Sequence, residues 1–138
     1  MSDLERISVS IEKPLLRRLE KMIRGSRSSN RSEFVRDMIR ERLVEEEWER
    51  DREVLGTITL VYDHHVRLLN KKLTDLQHHH HGTVLAATHV HLDENICAEM
   101  IMLKGKATEI KGIADLLRKQ KGVFHAGLSM SSTGRKLA

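Results

Sequence analysis

Polar and apolar residues alternate near the start of the chain and then recur at helical spacing. The segment RISVSI, residues 6–11, has the two-residue period of a strand with one apolar face. Apolar residues next return every three or four positions up to Gly25, and they do so again over residues 34–43 behind a capping pair, Asn30 and Glu33. The pattern predicts one strand followed by two helices.

The rest of the chain repeats the change between strand-like and helix-like spacing. It predicts strands at 54–62, 83–92, 96–104 and 122–129, and helices at 67–78 and 107–119. This order is typical of a ferredoxin-like domain, in which both helices cover one face of the sheet. We therefore predict an α+β chain with domains at 1–50 and 54–130, a linker at 48–54 and a loose polar tail from Ser131.

The N-terminal strand needs a partner strand. A lone strand leaves its backbone hydrogen-bonding groups unpaired, and about fifty residues bury too little apolar surface to outweigh chain entropy. Two copies paired antiparallel about a two-fold axis would form a ribbon whose apolar face meets the helices. Arg6, Ser8 and Ser10 then lie on the outer face, and such a ribbon fits the major groove of DNA.

Charge is distributed unevenly along the chain, although its total is only +4. Basic residues dominate positions 6–31, where they could bind phosphates: Arg6, Lys13, Arg17, Arg18, Lys21, Arg24, Arg27 and Arg31. Acidic residues crowd the end of the second helix, where phosphates would be repelled: Glu45, Glu46, Glu47 and Glu49. This distribution favours binding of double-stranded DNA by the N-terminal domain.

Cys97 is the only cysteine, so a disulfide within the chain is impossible. A single thiol is typical of a reducing cytoplasm. No apolar run approaches the roughly 20 residues that span a bilayer, and the first eight residues lack the basic and apolar regions of a signal peptide. We expect a cytoplasmic protein with no membrane partner.

Histidines and the single cysteine concentrate in one part of the second domain. The run QHHHH ends at residue 81, and His89, His91 and Cys97 follow within sixteen residues of it. His89 and His91 lie two apart on one strand, so their imidazoles share a face. A hairpin centred on Glu94 would place Cys97 opposite His91 on that face. This spacing predicts that three metal ligands converge.

The fourth ligand is expected from a neighbouring subunit. Val90, Ala98 and Met100 fall on the other face of the hairpin, which we expect the helices to cover, so the ligands should point away from their own core. His78, at the end of a helix on the covered face, would reach them more readily from a second chain. Metal binding would then be coupled to assembly.

The chemistry of these donors leaves the metal open. Imidazole and thiolate suit zinc, copper and nickel, and cytosolic copper is mostly cuprous and prefers more sulfur. Spacing does not separate the planar geometry of nickel from the tetrahedral geometry of zinc. His64, His65 and His125 are interpreted as surface or ligand-supporting residues, and Tyr62 as sheet packing; the roles of His79, His80 and His81 are not assigned.

Taken together, the QHHHH run, the HVH at 89–91 and Cys97 resemble the nickel-responsive regulator family, NikR, and the resemblance covers residues 5–129. It implies a ribbon-helix-helix domain in which Arg6, Ser8 and Ser10 read bases. Family members commonly carry threonine at the two serine positions. It also implies that the start of the second helix faces phosphate, through Asn30, Arg31 and Ser32.

The same resemblance implies the metal site and the assembly. One Ni(II) per subunit would be bound in a planar site by His89, His91 and Cys97 of one chain and His78 of another. The chain would form a homotetramer, a dimer of dimers joined by ACT-type cores, and would repress nickel-uptake genes through an operator of two-fold symmetry. A second cation site would fall on two acidic residues of the second helix, Glu33 and Asp37.

Other function classes explain less of the sequence. A metal-dependent hydrolase would need an open coordination position and a base, and the HExxH helix of one large class is missing, so we do not expect an enzyme. A cytosolic nickel or zinc buffer would use the same ligands without a DNA role and is the main alternative. An antitoxin could share the first domain but would not need the histidines.

Overall fold

The computed structural model describes residues 3–28 and 30–138. Met1, Ser2 and Ser29, which belong to the predicted domain 1–50, lie outside the described residues. The chain divides into two compact units, Met1–Arg40 and Glu41–Ala138.

The N-terminal unit contains α1 (Lys13–Gly25) and the first half of α2 (Arg31–Glu49). The predicted capping interaction is present, because the Asn30 side-chain oxygen accepts a hydrogen bond of 2.8 Å from the Glu33 backbone N–H. Residues 3–12 form neither helix nor strand in this single chain, in contrast to the strand predicted at 6–11. The ladder bonds of a ribbon come from a second copy, so the ribbon stays a prediction.

The C-terminal unit has the predicted order of strands and helices. Its elements are β1 (Glu53–Asp63), α3 (Leu69–His79), β2 (Val84–His91), β3 (Ile96–Lys106), α4 (Ala107–Arg118) and β4 (Val123–Ser131). The four strands form one antiparallel sheet in the order β2-β3-β1-β4. This order confirms the ferredoxin-like, α+β prediction. Helix α3 begins two residues later than predicted, because Leu68 takes a left-handed backbone conformation with φ 66°.

The core lies on one face of this sheet. Ile58 and Leu60 of β1 are fully buried together with Ile101 of β3, and the apolar residues of both helices pack against them: Leu69, Leu73, Ile110, Ile113 and Leu117. Burial of each of these large side chains stabilises the fold by about 1.5–3 kcal/mol. The helices therefore cover a single face, as predicted.

The linker and the tail differ from the prediction. Trp48 still belongs to α2 and is buried in the core, and β1 begins at Glu53, so only residues 50–52 join the two elements. The indole N–H of Trp48 donates to the backbone carbonyl of Ser131 at 2.9 Å, and the Ser132 hydroxyl donates to Glu47 at 2.9 Å. These bonds attach the start of the tail to α2, so it is not loose.

Candidate metal centre

The hairpin register brings His91 and Cys97 together. They are direct cross-strand partners, and His89 pairs with Glu99 two positions further on. Paired residues share a face, so His89, His91 and Cys97 point to the same side of the sheet, as predicted. The Cys97 sulfur lies 3.3 Å from Nδ1 of His91, and the ring centroids of His89 and His91 are 5.1 Å apart.

The expected orientation of this face is wrong. Cys97 is fully buried and lies on the same side of β3 as Ile101, which the helices cover. Val90 and Met100, expected beneath the helices, are 47% and 53% exposed. Both faces of the hairpin carry apolar residues, so alternation alone could not show which one is covered. The ligands lie at the rim of the covered face, where β2 is the sheet edge.

A further histidine, which the sequence did not place at the centre, lies beside Cys97. Nδ1 of His64 is 3.2 Å from the cysteine sulfur, and its ring centroid is 5.0 Å from that of His91. His64 follows the last residue of β1, and its backbone N–H donates to the Asn95 carbonyl at 2.8 Å. The antiparallel pairing of β1 with β3 could have indicated this position, because Asp63 opposes Ile96.

His89 is held by a chain of hydrogen bonds. The Tyr62 hydroxyl donates to the Asn70 side-chain oxygen at 2.9 Å and lies 3.0 Å from Nδ1 of His89. A hydroxyl has one proton, so it accepts from the imidazole, and Nδ1 of His89 carries the ring proton. The other nitrogen, Nε2, is then free to bind a metal. Tyr62, interpreted from sequence as sheet packing, also positions a candidate ligand.

Burial controls the electrostatics of the centre. It raises the pKa of the Cys97 thiol, and the negative charge of Asp93 raises it further. Burial also raises the pKa of Tyr62 to about 12, with contributions from Glu99 and Cys97. Tyr62 therefore keeps the proton that it donates, and a metal ion at Cys97 must displace the thiol proton to gain its strongest donor.

These donors fit a divalent transition-metal ion. A buried sulfur with imidazole nitrogens at 3.2 and 3.3 Å is a set that nickel and zinc accept. In the described part of the chain, the donor atoms that lie close together are those of His64, His91 and Cys97. His89, although it shares their face, lies outside this group, and so does the exposed His78 in the last turn of α3. Gln77 beside it donates to Glu99 at 3.0 Å, so α3 is attached to the ligand-bearing hairpin.

Two family models match the chain over most of its length. The model described as the NikR C-terminal nickel-binding domain matches residues 55–131, and that of ribbon-helix-helix proteins of the copG family matches residues 5–46. The chain belongs to the NikR family of nickel-responsive regulators. It is a regulator with a ribbon-helix-helix DNA-binding region, which confirms the resemblance and the expectation that it is not an enzyme.

Relatives in this family match along their full length. A protein of Geobacter sulfurreducens is 50% identical and one of Solibacter usitatus 46% identical, each over 99% of both chains. Both are named "Putative nickel-responsive regulator". A solved structure of an uncharacterised Thermotoga maritima protein aligns with a TM-score of 0.52 at 16% identity, covering 57% of this chain and 98% of that one, which supports the fold alone.

The residues that the NikR resemblance assigned to DNA lie in the N-terminal unit. Arg6, Ser8 and Ser10 are exposed in the segment before α1. At the start of α2, Arg31 pairs with Glu20 at 2.7 Å and Ser32 is exposed.

None of the helices described in the structure is long and apolar enough to cross a membrane.

The two acidic residues assigned to a second cation site, Glu33 and Asp37, lie one turn apart on α2. Asp37 forms an ion pair with Arg40 at 3.3 Å. Among the described residues, these two carboxylates do not belong to a group of three or more close metal donors. The second site therefore stays a prediction.

Proposed function

We propose that the chain is a nickel-dependent repressor that binds its operator when Ni(II) is bound. One Ni(II) per subunit is held by His89, His91 and Cys97 of one chain and by His78 of another. Four chains assemble in the cytoplasm as a homotetramer, a dimer of dimers, and its two ribbons bind a double-stranded operator of two-fold symmetry. The regulated genes are those of nickel uptake.

The observation that carries this proposal is the short distance between Cys97 and His91, 3.3 Å, with His89 adjacent on the same face. When bound, a metal ion in planar coordination would form four strong bonds, which would fix the relative positions of its ligands. His89 offers Nε2, because Tyr62 holds the other nitrogen. These residues lie within the range 55–131 that matches a family model described as a nickel-binding domain.

A second subunit is the proposed source of His78. The outward-facing ligands that first suggested this are not found, so support comes from two other observations. His78 is exposed at the end of α3, and it lies outside the donor group that the described part of a single chain brings together, as does His89, but unlike His89 it is not on the strand that carries His91. Ligands from two chains would make metal binding favour the assembled form.

DNA binding is assigned to the N-terminal unit. Arg6, Ser8 and Ser10 are exposed and can reach base edges once two copies form a ribbon. The exposed start of α2, with Asn30, Arg31 and Ser32, contacts phosphate. Glu33 and Asp37 share a helix face on which a second cation would bind, next to that phosphate contact.

The decisive experiment is a gel shift of a candidate operator and a scrambled duplex during titration with nickel, zinc and copper. Cys97→Ala should abolish the nickel-stimulated binding and leave weak, salt-sensitive binding. Arg6→Ala should lose the preference for the operator, because a good bidentate base contact is worth about 1–3 kcal/mol of discrimination. An unchanged nickel response in Cys97→Ala would contradict the proposal, and a metal buffer would show no duplex binding at all.

The shared site can be tested by mixing two inactive variants. His78→Ala and His89→Ala should each lose planar nickel binding alone. In mixed oligomers, a site can take His78 from one variant and His89 from the other, so roughly a quarter of the sites should be restored at equal amounts. Recovery of nickel absorbance after co-refolding measures this. No recovery, in mixtures shown by mass spectrometry to contain both chains, would place all ligands in one subunit.

A further inference from the structure

Thr83, the last residue before β2, is buried although it is polar and lies in a turn. It is 6% exposed, and its hydroxyl donates a hydrogen bond to the carboxylate of Glu109 in the first turn of α4. Burial of a hydroxyl is costly unless it is hydrogen-bonded, whereas a valine of the same shape would fill this space without that requirement. Packing alone therefore does not explain a threonine bonded to Glu109 at this position.

The turn that joins α3 to β2 is attached to the rest of the domain at Thr83. In the described structure, the hydrogen bonds of residues 80–82 stay within residues 77–84. Thr83 instead bonds to two other elements. Its carbonyl accepts from the Lys104 N–H of β3 at 2.9 Å, and its hydroxyl donates to Glu109 of α4. Thr83 therefore fixes the turn to both the sheet and α4.

His78 lies between this attachment and a second one. Before it, the Gln77 side chain donates to Glu99 of the hairpin at 3.0 Å. After it, the His78 carbonyl accepts from the His81 N–H at 3.3 Å, within the turn that Thr83 holds. A ligand that is already held in place loses less conformational freedom when it binds, so its binding is tighter. The two attachments should therefore favour metal binding by His78.

We propose that Thr83 and Glu109 are positioning residues for nickel binding, because their hydrogen bond holds the turn after α3 and so holds His78 ready for the metal centre of another subunit. This inference rests on the proposed function, in which His78 is the ligand from the second chain. Neither Thr83 nor Glu109 is itself a ligand. Loss of their bond leaves all the nickel ligands present but makes His78 more mobile, so nickel binding must then order it.

Nickel affinities of full-length variants, measured by competition with a chromophoric chelator, test this role. Thr83→Val removes the hydroxyl but keeps the shape of the side chain, and it should lower nickel affinity about 2- to 10-fold, the range that one hydrogen bond provides. Glu109→Ala should have the same effect. Thr83→Ser keeps the donor and Glu109→Gln keeps an acceptor, so these two variants should bind nickel like the parent protein.

Thr108→Val is the matched control. It removes a hydroxyl from the same turn of α4, but one that donates to Asp51 instead of holding the turn after α3. This variant should lower stability without changing nickel affinity. The His78→Ala background gives a second comparison. Because Thr83 acts through His78, Thr83→Val should cause no further loss of the residual nickel affinity in that background.

Two results would overturn the proposal. In the first, Thr83→Val binds nickel as tightly as Thr83→Ser. In the second, Thr83→Val lowers the affinity of His78→Ala as strongly as that of the parent protein, which would show a general effect on the fold. If His78→Ala itself kept the nickel affinity of the parent protein, the proposed function would be contradicted, and with it this role of Thr83.

Discussion

The two units of the chain differ in how far one copy can bury its own apolar residues. In the C-terminal unit, the apolar residues on the helix-covered face of β1 are fully or almost fully buried, and both helices complete the core. In the N-terminal unit, no residue of α1 is buried, and Ile7 and Val9 are 76% and 74% exposed. One unit has a finished core and the other does not.

This difference shows where the chain needs a second copy in order to fold. A ferredoxin-like domain closes its core with its own helices, so it can be stable in a single chain. The segment before α1 has apolar residues at alternate positions, and two of them, Ile7 and Val9, are largely exposed in the described chain, as in half of an intertwined dimer. Folding of the N-terminal unit should therefore require association with a second copy, so its stability should depend on protein concentration.

The largest effect is expected from Val9→Asp. The substitution would remove the stabilisation of about 1.5–3 kcal/mol per copy that burial of the valine side chain gives. It would also place a charge on the apolar face of the ribbon, which would prevent the two strands from pairing. Operator binding should be lost and helical circular dichroism should fall, while the C-terminal unit stays folded. Arg6→Ala, on the opposite face, should keep the helical signal. If Val9→Asp still formed a dimer with the parent spectrum, the N-terminal unit would not depend on the ribbon.

Leu60→Ala should have the opposite effect, because it should destabilise the C-terminal unit rather than the N-terminal unit. Leu60 is fully buried in the core of the C-terminal unit, and such a truncation costs about 2–5 kcal/mol. Urea unfolding followed by the fluorescence of Trp48, at one fixed protein concentration, would measure the loss. The adjacent Thr59 is exposed on the other face, so Thr59→Ala should stay within about 0.5 kcal/mol of the parent. Equal effects of both substitutions would contradict the assigned face.

Much of the C-terminal fold could be predicted because its signals are local. Strand alternation and helical spacing placed β2, β3 and α4 within about two residues of their observed bounds. The choice of covered face could not be predicted this way. Val90 and Met100 on one side are as apolar as the buried residues on the other, and only the packing of the helices distinguishes them.

Local sequence patterns also predicted only part of the metal centre. The pairing of His91 with Cys97 followed from the length of one hairpin, which is a local property. The position of His64 depends on β1 lying next to β3, a contact between residues more than thirty positions apart. The hydrogen bond that His89 donates to Tyr62 also joins residues that are far apart in sequence, so no local pattern predicts it.

A smaller effect is expected where the tail meets α2. Trp48→Phe keeps an aromatic ring in the core but removes the N–H that donates to the Ser131 carbonyl. The free energy of unfolding should fall by at least about 0.5–1.5 kcal/mol, because one partly buried hydrogen bond is lost and the smaller ring fills less of the core. Thermal unfolding followed by circular dichroism measures it. Ser132→Ala, which removes the bond to Glu47 at the same junction, should cost less, because the Ser132 side chain is half-buried whereas that of Trp48 is buried. If Ser132→Ala lost more unfolding free energy than Trp48→Phe, the bond from the Ser132 hydroxyl to Glu47 would be the main attachment of the tail to α2.

The smallest expected effect is a loss of stability at the capped start of α4 in the C-terminal unit, and it occurs only at acid pH. The Asp51 carboxylate accepts bonds of 2.8 Å from the backbone N–H and the hydroxyl of Thr108, and these bonds lower its pKa. A carboxyl with a lowered pKa stabilises the fold above its ordinary value, about 3.9, and this contribution is lost as pH falls through the lower folded value.

The difference in unfolding free energy between the parent and Asp51→Asn should accordingly be constant above about pH 5 and shrink below about pH 4. Denaturant unfolding at a series of pH values would show this, with Thr108→Ser as the control that keeps the hydroxyl. A difference that grew as the pH fell would show that the ionised carboxylate is not the form stabilised at this position.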